Sequence, residues 1–160
     1  MPERVCNDKL LTHGAIAIDV ESTGLLWRHG DQPYCFSITD EAFNNFYVSF
    51  YVDPYTRQVS YDEFAPTPAI PGHGAKWKPK DFIDYLAEMM QDESRPKVFH
   101  NAKFDIGHIG THMGIWPSGK IHDTRLMARI YNSDEPSYKL KPLAKKYCNI
   151  GVDDIEECLS

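Results

Sequence analysis

The run Ala15-Ile16-Ala17-Ile18-Asp19-Val20-Glu21-Ser22-Thr23-Gly24-Leu25 constrains this chain more than any other stretch. Its first half alternates with the period of a strand. Ile16, Ile18 and Val20 fall on one face, and Ala15, Ala17, Asp19 and Glu21 on the other. Two carboxylates therefore leave the end of a buried strand side by side, and a Ser-Thr-Gly turn follows. Close carboxylates repel, and enclosing them costs several kcal/mol unless a positive charge compensates. A divalent ion held by oxygen ligands is the usual compensation. The pair reads as half of a metal site, and such a site with open positions points to phosphodiester chemistry. Asp-x-Glu alone is a weak signal in a chain with 23 acidic residues, and Asp154-Ile155-Glu156 repeats it in a polar stretch. The apolar strand and the turn give the first pair its weight.

The length of 160 residues suits one domain, taken as residues 1–160, with a sizeable core. No apolar run could span a membrane, and no secretory leader is visible. Cys6, Cys35, Cys148 and Cys158 form no C-x-x-C pair, which argues against zinc and against a disulfide framework. A reducing cytoplasm is the expected compartment. The net charge of −6 excludes a protein held to nucleic acid by a broad basic face, but not one that grips phosphates through metal ions. Lys76, Lys78 and Lys80, and then Lys139, Lys141, Lys145 and Lys146, read as solvated helix faces.

Strands are expected near Tyr34–Thr39 and Phe46–Val52, with Asp40–Asn45 as their hairpin. Residues 53–77 carry Pro54, Pro66, Pro68 and Pro71 with Gly72 and Gly74, and are expected to be irregular. Lys80–Gln91 has helical spacing, Lys97–His100 is a short strand, and Lys103–Met113 is helical. A short strand over Gly119–His122 precedes helices over Thr124–Tyr131 and Tyr138–Tyr147. Leu126, Met127, Ile130 and Tyr131 are expected to face the core, as are Leu140, Leu143, Ala144 and Tyr147. The order of elements predicts an α/β domain with a mixed sheet flanked by helices.

A second cluster is Phe99-His100-Asn101-Ala102-Lys103-Phe104-Asp105. Asn101 suits a helix cap, and Asp105 falls in the first helical turn, where the helix dipole favours an anion. Alone, this is an ordinary capped helix. His108 and His112 have the i, i+4 spacing of a zinc pair, but lack the metalloprotease Glu and read as a half-buried pair. Trp27, Trp77 and Trp116 read as packing residues, Trp77 being the best candidate for stacking on a base.

Asp19-Val20-Glu21-x-Thr23-Gly24-Leu25 followed by His100-Asn101-x-x-Phe104-Asp105 resembles the first two motifs of the DEDD exonuclease superfamily. Asp123-Thr124-x-Leu126-Met127 and Leu140-Lys141-x-Leu143-Ala144-x-x-Tyr147 resemble helices that follow the second motif in the proofreading domains of A-family DNA polymerases. The resemblance implies an RNase H-like fold and hydrolysis of 3′-terminal nucleotides from the 3′ end of single-stranded DNA, with RNA as an alternative. It implies two Mg²⁺ or Mn²⁺ ions about 3.5–4 Å apart. Asp19, Glu21 and Asp105 are then the metal ligands and catalytic carboxylates. Leu25 wedges at the last base, Thr23 lies beside the terminal nucleotide, and Asn101 and Phe104 shape the pocket.

The superfamily's third motif, Tyr-x3-Asp or His-x4-Asp on a later helix, is not present. Tyr147 is followed four residues on by Gly151, and His122 five residues on by Met127. Tyr131 is followed four on by Glu135, which is the wrong acid and precedes the Leu-Lys helix. The expected fold therefore lacks its last helix. The fourth carboxylate would come from the rest of a longer polymerase or exonuclease, from a second chain, or from Asp153, Asp154 or Glu157. A non-catalytic module that binds single-stranded ends or docks on a polymerase is the alternative from outside enzyme chemistry.

Overall fold

The computed structural model describes residues 14–66 and 78–150. Their strands are β1 (Ile16–Ser22), β2 (Pro33–Asp40), β3 (Asn45–Val52), β4 (Val59–Phe64), β5 (Lys97–Phe99) and β6 (Ile121–Asp123). Their helices are α1 (Pro79–Gln91), α2 (Ala102–Met113), α3 (Thr124–Tyr131) and α4 (Leu140–Cys148). The strands form one sheet in the order β4-β3-β2-β1-β5-β6. β1 to β4 make an antiparallel meander, and β5 and β6 join parallel to β1. This is the mixed α/β sheet expected. Its two parallel pairings follow from the intervening helices, because a parallel neighbour requires a crossover.

The alternation in β1 is realised residue by residue. Ile16, Ile18 and Val20 are buried, whereas Ala17, Asp19 and Glu21 are exposed. On the buried face these three meet Phe36, Ile38, Val48 and Phe50, together with Phe82, Leu86, Met89 and Met90 of α1 and Ile109 of α2. Phe82 lies 5.3 Å from Phe36 and 5.9 Å from Phe50, centroid to centroid. Each such side chain, fully buried, contributes about 1.5–3 kcal/mol.

Lys97 is the exception inside this core. Its side chain is fully buried, and its ammonium donates to the carbonyls of Asp92 and Ser118, the latter at 2.8 Å. Burial pushes its pKa down. The cation ties the end of α1 to the segment that leads into β6.

The structure departs from expectation in four places. The stretch expected to be irregular contains a strand, β4, whose buried anchor is Val59. Residues 67–77, with Trp77 and Lys76, lie outside the described residues, as do Cys6, Cys158, Asp153, Asp154 and Glu157. The helical stripe of α3 does not reach the core: Leu126, Met127, Ile130 and Tyr131 are all exposed, Ile130 by 87%. In α4 only Leu143 is buried, while Leu140 and Tyr147 are exposed and Ala144 is intermediate. α3 lies beside the sheet's β6 edge, and both helices leave most of their apolar residues exposed. Finally, Asn101 precedes α2 with φ +79° and makes no capping bond through its side chain. Asn is among the few residues that tolerate this left-handed geometry.

Candidate active site

The site forms where β1 ends. Pairing with β2 runs regularly from Ile16 to Glu21, then shifts between Glu21 and Ser22. Such a bulge bends the strand and ends its ladder, so the chain turns outward just past the two carboxylates. The turn is braced internally. The Ser22 hydroxyl donates to the Gly24 carbonyl. Thr23 N–H donates to the Gln32 carbonyl at 3.0 Å, and Gln32 N–H returns to Thr23 Oγ1 at 3.0 Å. Leu25 and Leu26 follow on this braced turn and stand 78% and 58% exposed.

The second cluster arrives from β5. Asn101 N–H and Ala102 N–H both donate to the Asp123 carboxylate, at 3.1 and 2.9 Å. Asp123 also accepts from Arg125 N–H and Leu126 N–H. One carboxylate therefore caps α2 and α3 together. Burial alone would raise its pKa, but those backbone donors hold it below the usual range. Asp123 is thus the acid that starts α3, and it takes over the capping expected of Asn101.

Capped in this way, α2 carries Asp105 against β1. Val20 N–H donates to Asp105 Oδ1 at 3.1 Å, and the side chain is only 1% exposed. The bonded amide lies between Asp19 and Glu21 in sequence. Burial and the neighbouring Asp19 push Asp105 up to about 8, against the pull of the Val20 amide. Asp19 is raised by burial, with His100 opposing, and Glu21 by burial and then by Asp19. Asp19 thus acts as a like charge on both Glu21 and Asp105, which links the exposed pair on β1 to the buried acid of α2.

Among the described residues, no three His, Cys, Asp or Glu side chains close on a common point as a metal cage does. The donor chemistry nevertheless fits a hard cation. Three carboxylates supply oxygen ligands, and the charges that bear on Asp105 are further carboxylates, Asp19 and Asp123. An ion there would offset both the burial and the Asp19 charge that raise the Asp105 pKa.

The remaining expected site residues lie on the segments that follow β1 and β5. Thr23 and Asn101 are half-buried. Phe104, also half-buried, packs on the core and lies 4.3 Å from the His108 ring. His108 and His112 do not share a ligand. His108 Nδ1–H donates to the Phe104 carbonyl, and His112 Nε2–H to the Trp27 carbonyl. Trp27 packs against Gly107 of α2, where a Cβ would come within 2.5 Å of the indole. Trp116 lies against Gly110 in the same way. Glu135 is committed elsewhere, accepting from Asn132, Lys146 and Tyr147. Cys35, opposite Glu21, is buried and its thiol is pushed up to about 11, so it stays protonated and inert.

Two sets of contacts at the site have no signal in the sequence, those of the motif residue His100 and those of Arg57. His100 bonds Thr124 Oγ1 and the Tyr138 carbonyl, both at 2.9 Å, and so links the second motif to α3 and to the approach to α4. Arg57 donates from Nη2 to the Thr23 carbonyl at 2.6 Å. Arg57 lies 34 positions from Thr23, and only the β4 pairing brings it there.

A sheet with four antiparallel strands, two parallel ones joined through helices, and acidic residues at the end of its strand β1 is of the RNase H-like nuclease type. The chain belongs to the 3′–5′ exonuclease family of A-type DNA polymerases, which it matches over residues 2–159. It is 30% identical over 154 residues to the DNA polymerase DpoZ of Salmonella phage PMBT28, covering 95% of this chain and 20% of that protein. It is 32% identical over 79 residues to the DNA polymerase of Escherichia phage T5, covering 46% of this chain and 9% of that one. The chain thus spans a fifth or less of these polymerases. Its fold matches Brucella melitensis NrnC with bound Mg²⁺ at a TM-score of 0.66 and 18% identity, over 92% of this chain and 60% of that one. NrnC bound to pGG matches at 0.65, with 18% identity over 92% of this chain and 59% of that one. No helix among the described residues is long and apolar enough to cross a membrane.

Proposed function

We propose that the chain is a metal-dependent 3′→5′ exonuclease domain that removes 3′-terminal nucleotides from single-stranded DNA, of the polymerase-proofreading type. The observation that carries this reading is the Val20–Asp105 bond, which brings the second-motif carboxylate against the strand bearing Asp19 and Glu21. Asp19, Glu21 and Asp105 would hold Mg²⁺ or Mn²⁺. Bound there, the ions would activate water and stabilise the leaving 3′-oxygen. The protein's own part is positioning. Leu25, exposed on a braced turn, would wedge against the last base, and Thr23 would lie beside the terminal nucleotide. Asn101 and Phe104 would form the floor of the pocket.

The fourth carboxylate would be delivered by a further helix, from a polymerase or a second chain. The exposed apolar residues of α3 and α4, Leu126, Met127, Ile130 and Leu140, support such a docking helix. The likeness to NrnC favours a second reading, a free-standing oligonucleotide exonuclease acting on RNA or DNA. The open arrangement of the three carboxylates favours a third, a non-catalytic module that binds ends.

A 5′-labelled single strand incubated with the chain in Mg²⁺ or Mn²⁺ tests these readings. The expected result is a ladder shortening from the 3′ end that disappears in Asp19→Ala. Equal cleavage by Asp19→Ala would refute the site. Faster cleavage of RNA than of matched DNA would favour the second reading, and binding without cleavage the third.

A further inference from the structure

The loop between β3 and β4 is built to hold one side chain. Asp53 Oδ1 accepts from the N–H groups of Tyr55 and Thr56, at 2.8 and 2.7 Å. Arg57 N–H donates to the Asp53 carbonyl and Asp53 N–H to the Gln58 carbonyl, each at 2.9 Å. This closed turn keeps Arg57 at φ +59°, a left-handed conformation that a long side chain rarely adopts. Strained backbone of this kind persists where its surroundings over-determine it, and it concentrates at functional sites.

The same turn is fastened to the site. Val59 N–H donates to Gln32 Oε1 at 3.0 Å, Gln32 N–H to Thr23 Oγ1, and Arg57 Nη2 to the Thr23 carbonyl. Arg57 lies near enough to Tyr34 to oppose the effect of Glu21 on that hydroxyl. A guanidinium has five N–H donors. One is spent on Thr23, the side chain is exposed, and Arg57 joins no ion pair among the described residues. A cation without an ion-pair partner among the described residues thus stands against Thr23, two positions past Glu21, on a chain of net charge −6.

Bracing Thr23 would need one donor and no exposed charge. We propose that Arg57 contacts substrate: its free N–H edge binds a backbone phosphate of the single strand whose 3′ end enters past Leu25. Planar paired donors suit a phosphate's oxygens, and the charge offsets the repulsion between the strand and the carboxylates. The proposal rests on the exonuclease reading and assigns it a residue for strand engagement. Because phosphate is common to both nucleic acids, the effect is the same for DNA and RNA.

The test is anisotropy of short 5′-labelled DNA and RNA strands with the whole chain in Ca²⁺, across a KCl series. Arg57→Gln and Arg57→Lys are compared with the parent, and all three are checked by thermal melting. Loss of one charge-assisted contact weakens binding roughly tenfold or more in Arg57→Gln. The slope of log affinity against log salt becomes shallower by about 0.7, the value for one phosphate on a single strand. Arg57→Lys keeps the parent slope. An unchanged slope in Arg57→Gln, even with weaker binding, overturns the proposal, since bracing alone releases no counterion. A parent that neither binds nor cleaves overturns the exonuclease reading, and this proposal with it.

Discussion

Asp105 makes the folded chain sensitive to pH in a direction opposite to that of most acidic residues. Its carboxyl rises from the ordinary aspartate value of 3.8 to about 8, chiefly through burial and then through Asp19. Between these values the folded state holds a proton that the unfolded state has lost. Stability therefore falls as pH rises through this window, by about 1.4 kcal/mol per unit, and levels off above the folded pKa. From about pH 5.5 to about pH 7.5 the loss is about 3 kcal/mol, or roughly 6–12 °C in Tm for a domain of this size. Asp105→Asn removes the titration and retains an oxygen for the Val20 amide. Melting curves in EDTA, across this range, should show the parent losing stability relative to Asp105→Asn as pH rises. At the alkaline end the variant should be the more stable protein. Parallel profiles for the two would refute the argument, because they would mean that Asp105 is already ionised in the folded state at low pH.

Other consequences can be checked singly. Asp123→Ala removes the cap of two helices, and urea unfolding should show a loss of about 2–4 kcal/mol, each lost cap costing about 1–2. Lys97→Met leaves the Ser118 carbonyl without its donor, while the Asp92 carbonyl keeps the Arg95 N–H, at a cost of about 1–3 kcal/mol by the same assay. Gly107→Ala places a methyl 2.5 Å from Trp27. It should displace the 3₁₀ turn Trp27–His29 just after Leu25, visible as a change in Trp fluorescence and, in an active assembly, as a raised KM.

The elements that sequence reading located are those whose pattern is local. β1 alternates without interruption, and its carboxylates fall on the open face because side chains in a strand point to alternate sides. α1 carries its buried residues at helical spacing behind Pro79, and α2 begins next to the residue expected to cap it. What stayed hidden depends on partners distant in sequence. β4 has only Val59 as a buried anchor, and its other polar residues resemble the proline-rich stretch around it. The stripe of α3 has the spacing of a core helix, yet spacing cannot say whether this chain or another covers it. Nothing in the run Arg95-Pro96-Lys97 marks a lysine for complete burial, since its acceptors are carbonyls contributed by two other segments. Asp19, Glu21 and Asp105 were legible as acids in motif context. The amide that joins them, Val20, offers no side-chain signal at all.

The order of the strands also sets the order in which the molecule can be made. As the chain leaves the ribosome, β1 to β4 can zip into their meander at once, because each pairs with its neighbour in sequence. One edge of β1 then has no partner until Lys97 and Val98 are available to pair with it. During that interval the central strand presents a bare hydrogen-bonding edge next to Ile16, Ile18 and Val20, the kind of edge that recruits another chain. α2 closes over that apolar face only afterwards. Asp19 and Glu21 belong to the half that folds early and Asp105 to the half that folds late, so the three carboxylates come together only once α2 has docked. A nascent chain stalled between the two would carry its carboxylate pair on a surface suited to aggregation, and chaperone dependence should peak there.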